Sequence, residues 1–371
     1  LTRTIMKNIT LLLLFTALFI SSCKKKEVSL SIKDLQTEYS ENPVGIDIAQ
    51  PRFSWKLDDT LRNIKQESYR ILVASEAGLL KPGKADMWNS GWIDSGQSVF
   101  VNYNGEELKS STRYYWNVTI KDNRDRELKS ENAFFGTGLM DQSDWKAEWI
   151  GFTPPERYEK LPPDGGLRPE SVLLRKEFTT GSSIKNARVY ISGLGNYLLY
   201  INGERIGDDI FTPGWTDYNK RVQYQSYDIT EHLEKGANAA GIMLGNMWWS
   251  GGLGWKGDQV YSEGPLRAIA QIEIEYKNGE KDIIHTDESW KGYKSPIVDN
   301  SIYHGETYDA RLEIPLWAEP GLEDSQWYEV SKIPMDTLVL SAQKAPTIKV
   351  MDTIVPVSIN EVKPGVYVYD M

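Results

Sequence analysis

The sequence predicts an all-β protein built from successive β-sandwiches. Hydrophobic and polar residues alternate over many short stretches, whereas helical periodicity is nearly absent after the first two dozen residues. Asn-Gly pairs, which favour the tight type I′ turns of β-hairpins, interrupt two of these stretches at Asn202-Gly203 and Asn278-Gly279. The 371 residues also include 30 glycines and 17 prolines, which is typical of a turn-rich β-protein.

The N-terminal segment predicts an export signal. Residues 9–20 (ITLLLLFTALFI) form a mainly apolar run that suits a signal peptide and is too short to span a bilayer as a helix. The ISSC that follows resembles the lipobox of bacterial lipoproteins, and its Cys23 is the only cysteine. We therefore expect a lipoprotein signal peptide over residues 1–23, lipidation of Cys23 and a tether over residues 24–30. An ordinary signal peptide with a chance cysteine is the alternative.

This interpretation implies a location and a redox state. The protein would be exported to the bacterial cell envelope, facing the periplasm or the surface, and anchored to the membrane by lipid without spanning it. A single cysteine excludes an intramolecular disulfide. The formal net charge of −10 argues against a nucleic-acid partner, because binding phosphate needs a basic face.

The alternating stretches divide the remaining chain into three parts. Residues 31–141 are predicted to form a sandwich of fibronectin type III or immunoglobulin size, with PRFSW (51–55) and YYWNVTI (114–120) in its opposite sheets. Its tryptophans are predicted to fill the core: Trp55, Trp88, Trp92 and Trp116. Residues 142–312 form a larger all-β domain. Residues 313–371 begin a further β-domain that we expect to be truncated, since an apolar last strand seldom lacks a partner.

Familiar catalytic motifs are absent or lack their context. Gly252, Gly254 and Gly257 match G-x-G-x-x-G, but no helical pattern follows, so a chance match is favoured. The three histidines lack zinc-site spacing. A strand would place His304 and Glu306 on one face and Asp309 on the other. A structural network in which Asp309 and Arg311 pair with neighbours is therefore favoured over a His/Glu/Asp metal or acid–base cluster.

The stretch GNMWWSGGLGW, residues 245–255, is the most unusual part of the sequence. It reads as neither a helix nor a plain strand. Exposed tryptophan rings stack on the apolar C–H faces of sugars, and glycines permit close approach of the backbone. The alternative is that the tryptophans plug one end of the sandwich. We expect both, because an extended chain would point one of Trp248 and Trp249 inward and the other outward.

Acidic residues accompany this stretch in the sequence. They could form a sugar or calcium site, because carboxylates are calcium ligands, or they could be solvated loop residues. Both interpretations stay open for Asp208, Asp209, Asp217, Asp258 and Glu263.

Several segments then combine into a family resemblance. They are WKAEWIG (145–151), LLRKEF (173–178), the block from ISGLGNYLLYINGERIG to YDIT (191–230), LGNMWWSGGLGW (244–255) and DESWKG to YDAR (287–311). In order and spacing they resemble the N-terminal region of bacterial α-L-rhamnosidases, a glycoside hydrolase family. The opening NPVGIDIAQPRFSW (42–55) is similar to the fibronectin-like module that begins many of these enzymes.

The resemblance implies an architecture and a function. A fibronectin type III-like sandwich is followed by a jelly-roll domain that recognises rhamnose, a further β-domain and a barrel of paired helices. In the barrel, general acid and base carboxylates hydrolyse terminal α-L-rhamnose with inversion. This sequence ends before any barrel, so no catalytic residue is carried over and the chain alone is expected to be inactive.

The resemblance also suggests ligands. The expected partner is a rhamnose-containing glycan, and the candidate sugar contacts are Trp248, Trp249, Trp255 and Asp217. No cofactor is required, but some relatives bind rhamnose through calcium in the jelly roll, for which Asp208 and Asp209 are candidate ligands. The alternatives are a stand-alone carbohydrate-binding or adhesion lipoprotein and a jelly roll that serves only as scaffold.

Overall fold

The computed structural model describes residues 30–59, 61–155, 169–181, 183–254, 261–262, 264–335 and 337–371. Cys23 therefore lies outside the described residues, as do Trp255, Gly257, Asp258 and Glu263. The chain forms two compact units, the first comprising residues up to Gln36, Arg52–Gly105 and Tyr115–Ala133, and the second comprising Thr37–Pro51, Glu106–Tyr114 and Phe134–Met371. Within the described ranges, no helix is long and apolar enough to cross a bilayer.

The described elements up to residue 136 are β-strands and one 3-10 turn. In chain order the strands are β1 (Ser31–Thr37), β2 (Arg52–Asp58), β3 (Gln66–Ala74), β4 (Trp88–Asn89), β5 (Ile93–Asp94), β6 (Val101–Asn102), β7 (Arg113–Asp122), β8 (Glu127–Lys129) and β9 (Ala133–Gly136). One sheet has the order β1-β2-β6, and the other has the order β4-β3-β7-β8, with β5 also pairing with β3.

The core of the first unit lies between these sheets. Phe53 of β2 and Trp116 of β7 are fully buried, and their rings lie 4.5 Å apart, as the prediction of opposite sheets requires. Trp55 is also buried and donates from Nε1 to Oε1 of Gln66 at 2.9 Å. The prediction for Trp92 is wrong: its ring is exposed, with the Lys121 ammonium 4.4 Å from the ring centre, so a cation–π contact replaces core packing.

The elements after residue 136 build two large sheets and three two-stranded sheets. The strands are β10 (Ile150–Gly151), β11 (Val172–Thr180), β12 (Ile184–Leu194), β13 (Asn196–Ile201), β14 (Glu204–Arg205), β15 (Asp209–Ile210), β16 (Arg221–Asp228), β17 (Gly236–Gly245), β18 (Arg267–Tyr276), β19 (Lys281–His285), β20 (Lys291–Lys294), β21 (Ile297–Ser301), β22 (Gly305–Tyr308), β23 (Tyr328–Glu329), β24 (Ser331–Lys332), β25 (Val339–Ala342), β26 (Ile348–Lys349), β27 (Ser358–Lys363) and β28 (Val366–Asp370). The two-stranded sheets are β15-β26, β21-β22 and β27-β28. One α-helical turn, α1, spans Met247–Ser250, and 3-10 turns span Ala77–Leu79, Gln142–Asp144, Thr230–His232 and Ala310–Leu312.

The second unit is a two-sheet sandwich. One sheet has the order β14-β13-β17-β11-β20-β23, and the other has the order β24-β10-β18-β12-β16-β25, with β19 beside β18. Alternate residues of the first sheet, such as Leu199 and Ile242, share one hydrophobic core with Val189 and Ile272 of the second. The all-β prediction is therefore confirmed.

The two predicted hairpin turns have different geometries. Asn202 and Gly203 both have positive φ, 49° and 82°, as a type I′ turn requires. At the second turn only Gly279 has positive φ, 88°, and Tyr276 N–H bonds to Glu280 O at 2.9 Å across three residues. The type I′ prediction is therefore wrong at Asn278, where a longer loop with a left-handed glycine forms.

Candidate functional site

Two tryptophans stack at one edge of the second unit. The rings of Trp215 and Trp248 lie 5.2 Å apart with an interplanar angle of 10°. Trp215 is 54% exposed, and its Nε1 donates to the Tyr261 hydroxyl at 3.2 Å. We call Trp215, Trp248 and Tyr261 the aromatic ledge. It presents flat, amphipathic rings to solvent.

The loop between β15 and β16 holds Trp215 in place. Thr216 donates from Oγ1 to the Arg221 carbonyl at 2.7 Å, and the backbone N–H of Arg221 donates to the Asp217 carbonyl at 3.0 Å. The Asp217 carboxylate accepts from the Asn219 N–H at 3.2 Å, and this bond is the main cause of the lowered pKa of Asp217. Asp217 therefore stabilises the loop that carries Trp215, and its contact with sugar stays a prediction.

The adjacent tryptophans 248 and 249 occupy the helical turn α1, not an extended segment as predicted. Asn246 anchors this turn: its N–H donates to Asn300 Oδ1 at 2.7 Å, and Oδ1 of Asn246 accepts from Ser250 at 2.7 Å. The turn sends Trp249 inward, where it is 6% exposed, while Trp248 lies against the exposed Trp215. Trp249 is therefore the packed ring of the pair, whereas Trp248 is only partly buried, and a helical turn produces this difference. A contact between Trp248 and sugar stays a prediction.

Trp249 supports the ledge from behind. Its ring meets Tyr218 edge-on at 5.5 Å and lies parallel to Tyr261 at 6.4 Å, and the Arg267 guanidinium lies 5.9 Å from its centre. Burial raises the pKa of Tyr218, so this phenol stays neutral at physiological pH. Trp249 is therefore part of the core and supports the rings of the aromatic ledge.

The predicted calcium ligands pair with a lysine. Lys349 Nζ lies 2.6 Å from the Asp208 carboxylate and 3.7 Å from that of Asp209. The hydrogen bond from Lys349 lowers the pKa of Asp208, and the same bond raises the pKa of Lys349. In the part of the chain that the structure describes, no group of three or more His, Cys, Asp or Glu side chains could hold a metal. The calcium site stays a prediction that these contacts do not support.

The acidic cluster near residue 304 is organised structurally. Asp309 accepts from Arg311 Nε at 2.8 Å, and its carboxylate also accepts from the Arg311 N–H at 3.1 Å, which caps a 3-10 turn. This pairing agrees with the structural network favoured from the sequence. Glu306, on β22, takes no part in this pairing.

Sequence reasoning missed two residues of the ledge, Trp215 and Tyr261. Trp215 lies in TPGWTDYN, within the block 191–230 on which the family resemblance rests, whereas the predicted sugar contacts include only the later tryptophans 248, 249 and 255. The Pro213-Gly214 pair favours a turn, which would place Trp215 in a connecting loop at the surface. The stacking of Trp215 on Trp248 joins residues 33 positions apart, which no local pattern reports.

Comparisons with known proteins cover most of the chain. Residues 182–352 match the family described as the α-L-rhamnosidase N-terminal domain, and residues 32–141 match the Rha78A-like N-terminal immunoglobulin domain. An α-L-rhamnosidase of Formosa agariphila is 35% identical over 96% of this chain and 40% of its own length. One from Alteromonas sp. is 32% identical over 96% of this chain and 39% of its own length.

Solved structures give the same correspondence. The α-L-rhamnosidase from Dictyoglumus thermophilum has a TM-score of 0.82 and 39% identity, covering 92% of this chain and 38% of that one. The Streptomyces avermitilis α-L-rhamnosidase complexed with L-rhamnose has a TM-score of 0.82 and 25% identity, covering 91% of this chain and 48% of that one. The chain thus spans about 40% of the length of the curated relatives.

Proposed function

The chain belongs to the α-L-rhamnosidase family, to whose N-terminal region it corresponds, and from that premise we propose that it is a non-catalytic region that recognises rhamnose-containing glycans. The aromatic ledge is the observation that carries this proposal. The exposed indole of Trp215, stacked on the partly buried ring of Trp248, offers a flat apolar surface that matches the C–H face of a pyranose ring. The Tyr261 hydroxyl beside them adds a polar group within reach of sugar hydroxyls.

Calorimetric titration with a rhamnosylated oligosaccharide tests this proposal. Trp215→Ala and Trp248→Ala should each weaken binding about tenfold, since an aromatic contact contributes on the order of 1 kcal/mol beyond the area that it buries. Trp92→Ala is the matched control, because Trp92 is also exposed but lies in the first unit. Equal affinity of all three variants and the unaltered chain would reject the ledge as the binding surface.

The hydrolytic activity of the family requires general acid and base carboxylates. The family resemblance assigns neither carboxylate to a residue of this sequence, so the 371-residue chain should not hydrolyse an aryl α-L-rhamnoside. Release of the aryl group by the purified chain would contradict this expectation. An unchanged rate in Trp215→Ala would then place the catalytic site away from the ledge.

Membrane attachment through Cys23 forms part of the same proposal. The ISSC motif and the single cysteine support it. Expression in a bacterial host with labelled fatty acid should label the chain and place it in the membrane fraction. Cys23→Ser should abolish both the label and the membrane association, and a labelled Cys23→Ser variant would contradict the assignment.

A further inference from the structure

Two cationic side chains share one exposed indole ring in the first unit. The guanidinium carbon of Arg70 lies 4.9 Å from the centre of the Trp92 ring, and the ammonium of Lys121 lies 4.4 Å from the same centre. Trp92 is 37% exposed, and all three residues belong to the first unit. We call Arg70, Trp92 and Lys121 the cationic patch.

Strand alternation places the patch on the outer face of the sheet. Tyr69 of β3 and Ile120 of β7 are register partners, and both are buried in the core. Alternation therefore points the next residues along these strands, Arg70 and Lys121, to the outer face. Trp92 reaches the same face from the connection between β4 and β5. The patch thus combines three separate segments of one folded unit.

Neither cation of the patch has an anionic partner in the part of the chain that the structure describes. No hydrogen bond or ion pair joins the side chain of Arg70 or Lys121 to another described residue. Lys56 of the same unit differs, because its ammonium lies 2.8 Å from the Asp34 carboxylate. A ligand anion would have to displace Asp34 from Lys56, whereas at the patch no described carboxylate has to be displaced.

The contacts with Trp92 leave the hydrogen-bond donors of both cations unused. An indole face attracts a cation through its quadrupole but offers no acceptor atom. An ammonium has about three N–H donors and a guanidinium about five. The Nε of Arg70 is buried, but its terminal nitrogens and the ammonium of Lys121 can still donate to a carboxylate or sulfate. The ring therefore restrains two cations that are ready to bind an anion.

The charges around the patch make any binding a local effect. The net charge of −10 repels polyanions at long range, so general attraction cannot produce affinity. The outer face also carries exposed carboxylates: Glu127 is the register partner of Lys121, and Asp94 is the partner of Ser68 in the next strand. Only short-range contacts with the two cations of the patch can hold an anion there.

We propose that the cationic patch binds an acidic polysaccharide through its carboxylate or sulfate groups. The choice of a glycan as the ligand rests on the proposed recognition function, but the site lies in the other unit and binds a different chemical group. The anionic substituents pair with Arg70 and Lys121, and the exposed part of the Trp92 ring lies against the C–H face of a sugar. An anionic membrane fits less well, because headgroup binding takes clusters of about four to eight Lys or Arg.

Carboxymethyl dextran, dextran sulfate and unmodified dextran make matched probes, because they share one backbone. In calorimetric titrations of the 371-residue chain, we expect a charged dextran to bind and unmodified dextran not to bind. The charged dextran that binds more tightly identifies the anionic group. Lys121→Gln should weaken this binding about fivefold, the upper range for an exposed ion pair. Lys81→Gln is the matched control, because it removes the same charge from an exposed position of the same unit outside the patch.

A variant of opposite sign guards against a loss of folding. Glu127→Gln removes the carboxylate beside Lys121 and should tighten binding of the charged dextran about threefold. Equal affinities of Lys121→Gln and Lys81→Gln, or equal binding of charged and unmodified dextran, overturn the inference. Binding to phosphatidylglycerol vesicles that Lys121→Gln abolishes, without binding to either charged dextran, also overturns it and assigns the patch to a membrane surface.

The patch and the aromatic ledge can be tested independently. A neutral rhamnosylated oligosaccharide offers no anion, so its binding should depend on Trp215 and not on Lys121 or Trp92. If the charged dextrans do not bind while oligosaccharide binding still falls in Trp215→Ala, the patch inference fails and the proposed ledge function survives. Dextran binding that falls in Lys121→Gln, with oligosaccharide binding unchanged in Trp215→Ala, supports the patch and rejects the ledge.

Discussion

The indole rings of Trp215 and Trp248 stack in parallel 5.2 Å apart, and the neighbouring Trp249 is buried behind them. This arrangement separates a surface role from a structural one. Trp215→Ala should change the free energy of unfolding by less than about 1 kcal/mol, whereas Trp249→Ala should lower it by about 3–5 kcal/mol through a core cavity. Urea unfolding measures both. Equal losses would mean that the ledge is part of the core.

A buried arginine holds the segment around Trp317 against the six-stranded sheet. The Arg175 side chain is fully buried, pairs with Asp324, and donates from Nε to the Trp317 carbonyl at 3.0 Å. Arg175→Met should lower the free energy of unfolding by about 3 kcal/mol, because carbonyl and carboxylate acceptors lose their donor. Lys291→Met is the control: Lys291 pairs with the same Asp324 but is 41% exposed, so its loss should cost less than about 1 kcal/mol. The reverse order would contradict this account.

A glycine lets the same segment approach closely. A Cβ on Gly241 would lie 2.7 Å from the Trp317 ring and 2.7 Å from the Ala318 methyl. Gly241→Ala should therefore lower the midpoint of thermal unfolding, with an overpacking cost of about 1–3 kcal/mol. Gly181→Ala should be nearly neutral, since its Cβ would meet Tyr276 only at 3.9 Å. Equal thermal midpoints for the two variants would show that the segment can move aside.

Acid should destabilise the first unit through Asp122. Burial opposes ionisation of this carboxyl, but hydrogen bonds from the N–H groups of Arg126 and Arg124 and from the Arg126 guanidinium outweigh it and lower the pKa of Asp122. A lowered folded-state pKa adds stability that is complete above the ordinary value of 3.8 and is lost as pH falls through the folded value. Asp122→Asn should be less stable at about pH 6, and its stability should fall less steeply below about pH 4. Parallel pH profiles would refute this assignment.

The hairpin of β27 and β28 exposes apolar side chains on both faces, including Val368, Tyr369 and Ile359. Such a ribbon is prone to self-association. We expect concentration-dependent association in sedimentation velocity, which Val368→Ser should lower and Asn360→Ser, at the register partner of Val368, should not. An unchanged sedimentation profile for Val368→Ser would place the association elsewhere.

Local patterns predicted the strands well because period-2 alternation reports which residues face a core. Leu199 and Ile201 alternate with outward residues as expected, and Asn202-Gly203 adopts the turn its residue types favour. Trp92 was misassigned to the core because composition does not report which aromatic rings have cationic neighbours. The Lys349 pairing of Asp208 was equally invisible, since the two residues are 141 positions apart.

The sequence by itself determined the all-β class, the succession of two sandwich regions and the family, because these depend on periodicity, turn chemistry and motif order. Only the tertiary structure decided which distant side chains meet. Trp215, in the loop between β15 and β16, and Trp248, in the turn α1, stack only because the folded chain brings these two segments together. Alternation shows that a side chain leaves the core, but only the packing of distant segments decides whether it meets protein or solvent.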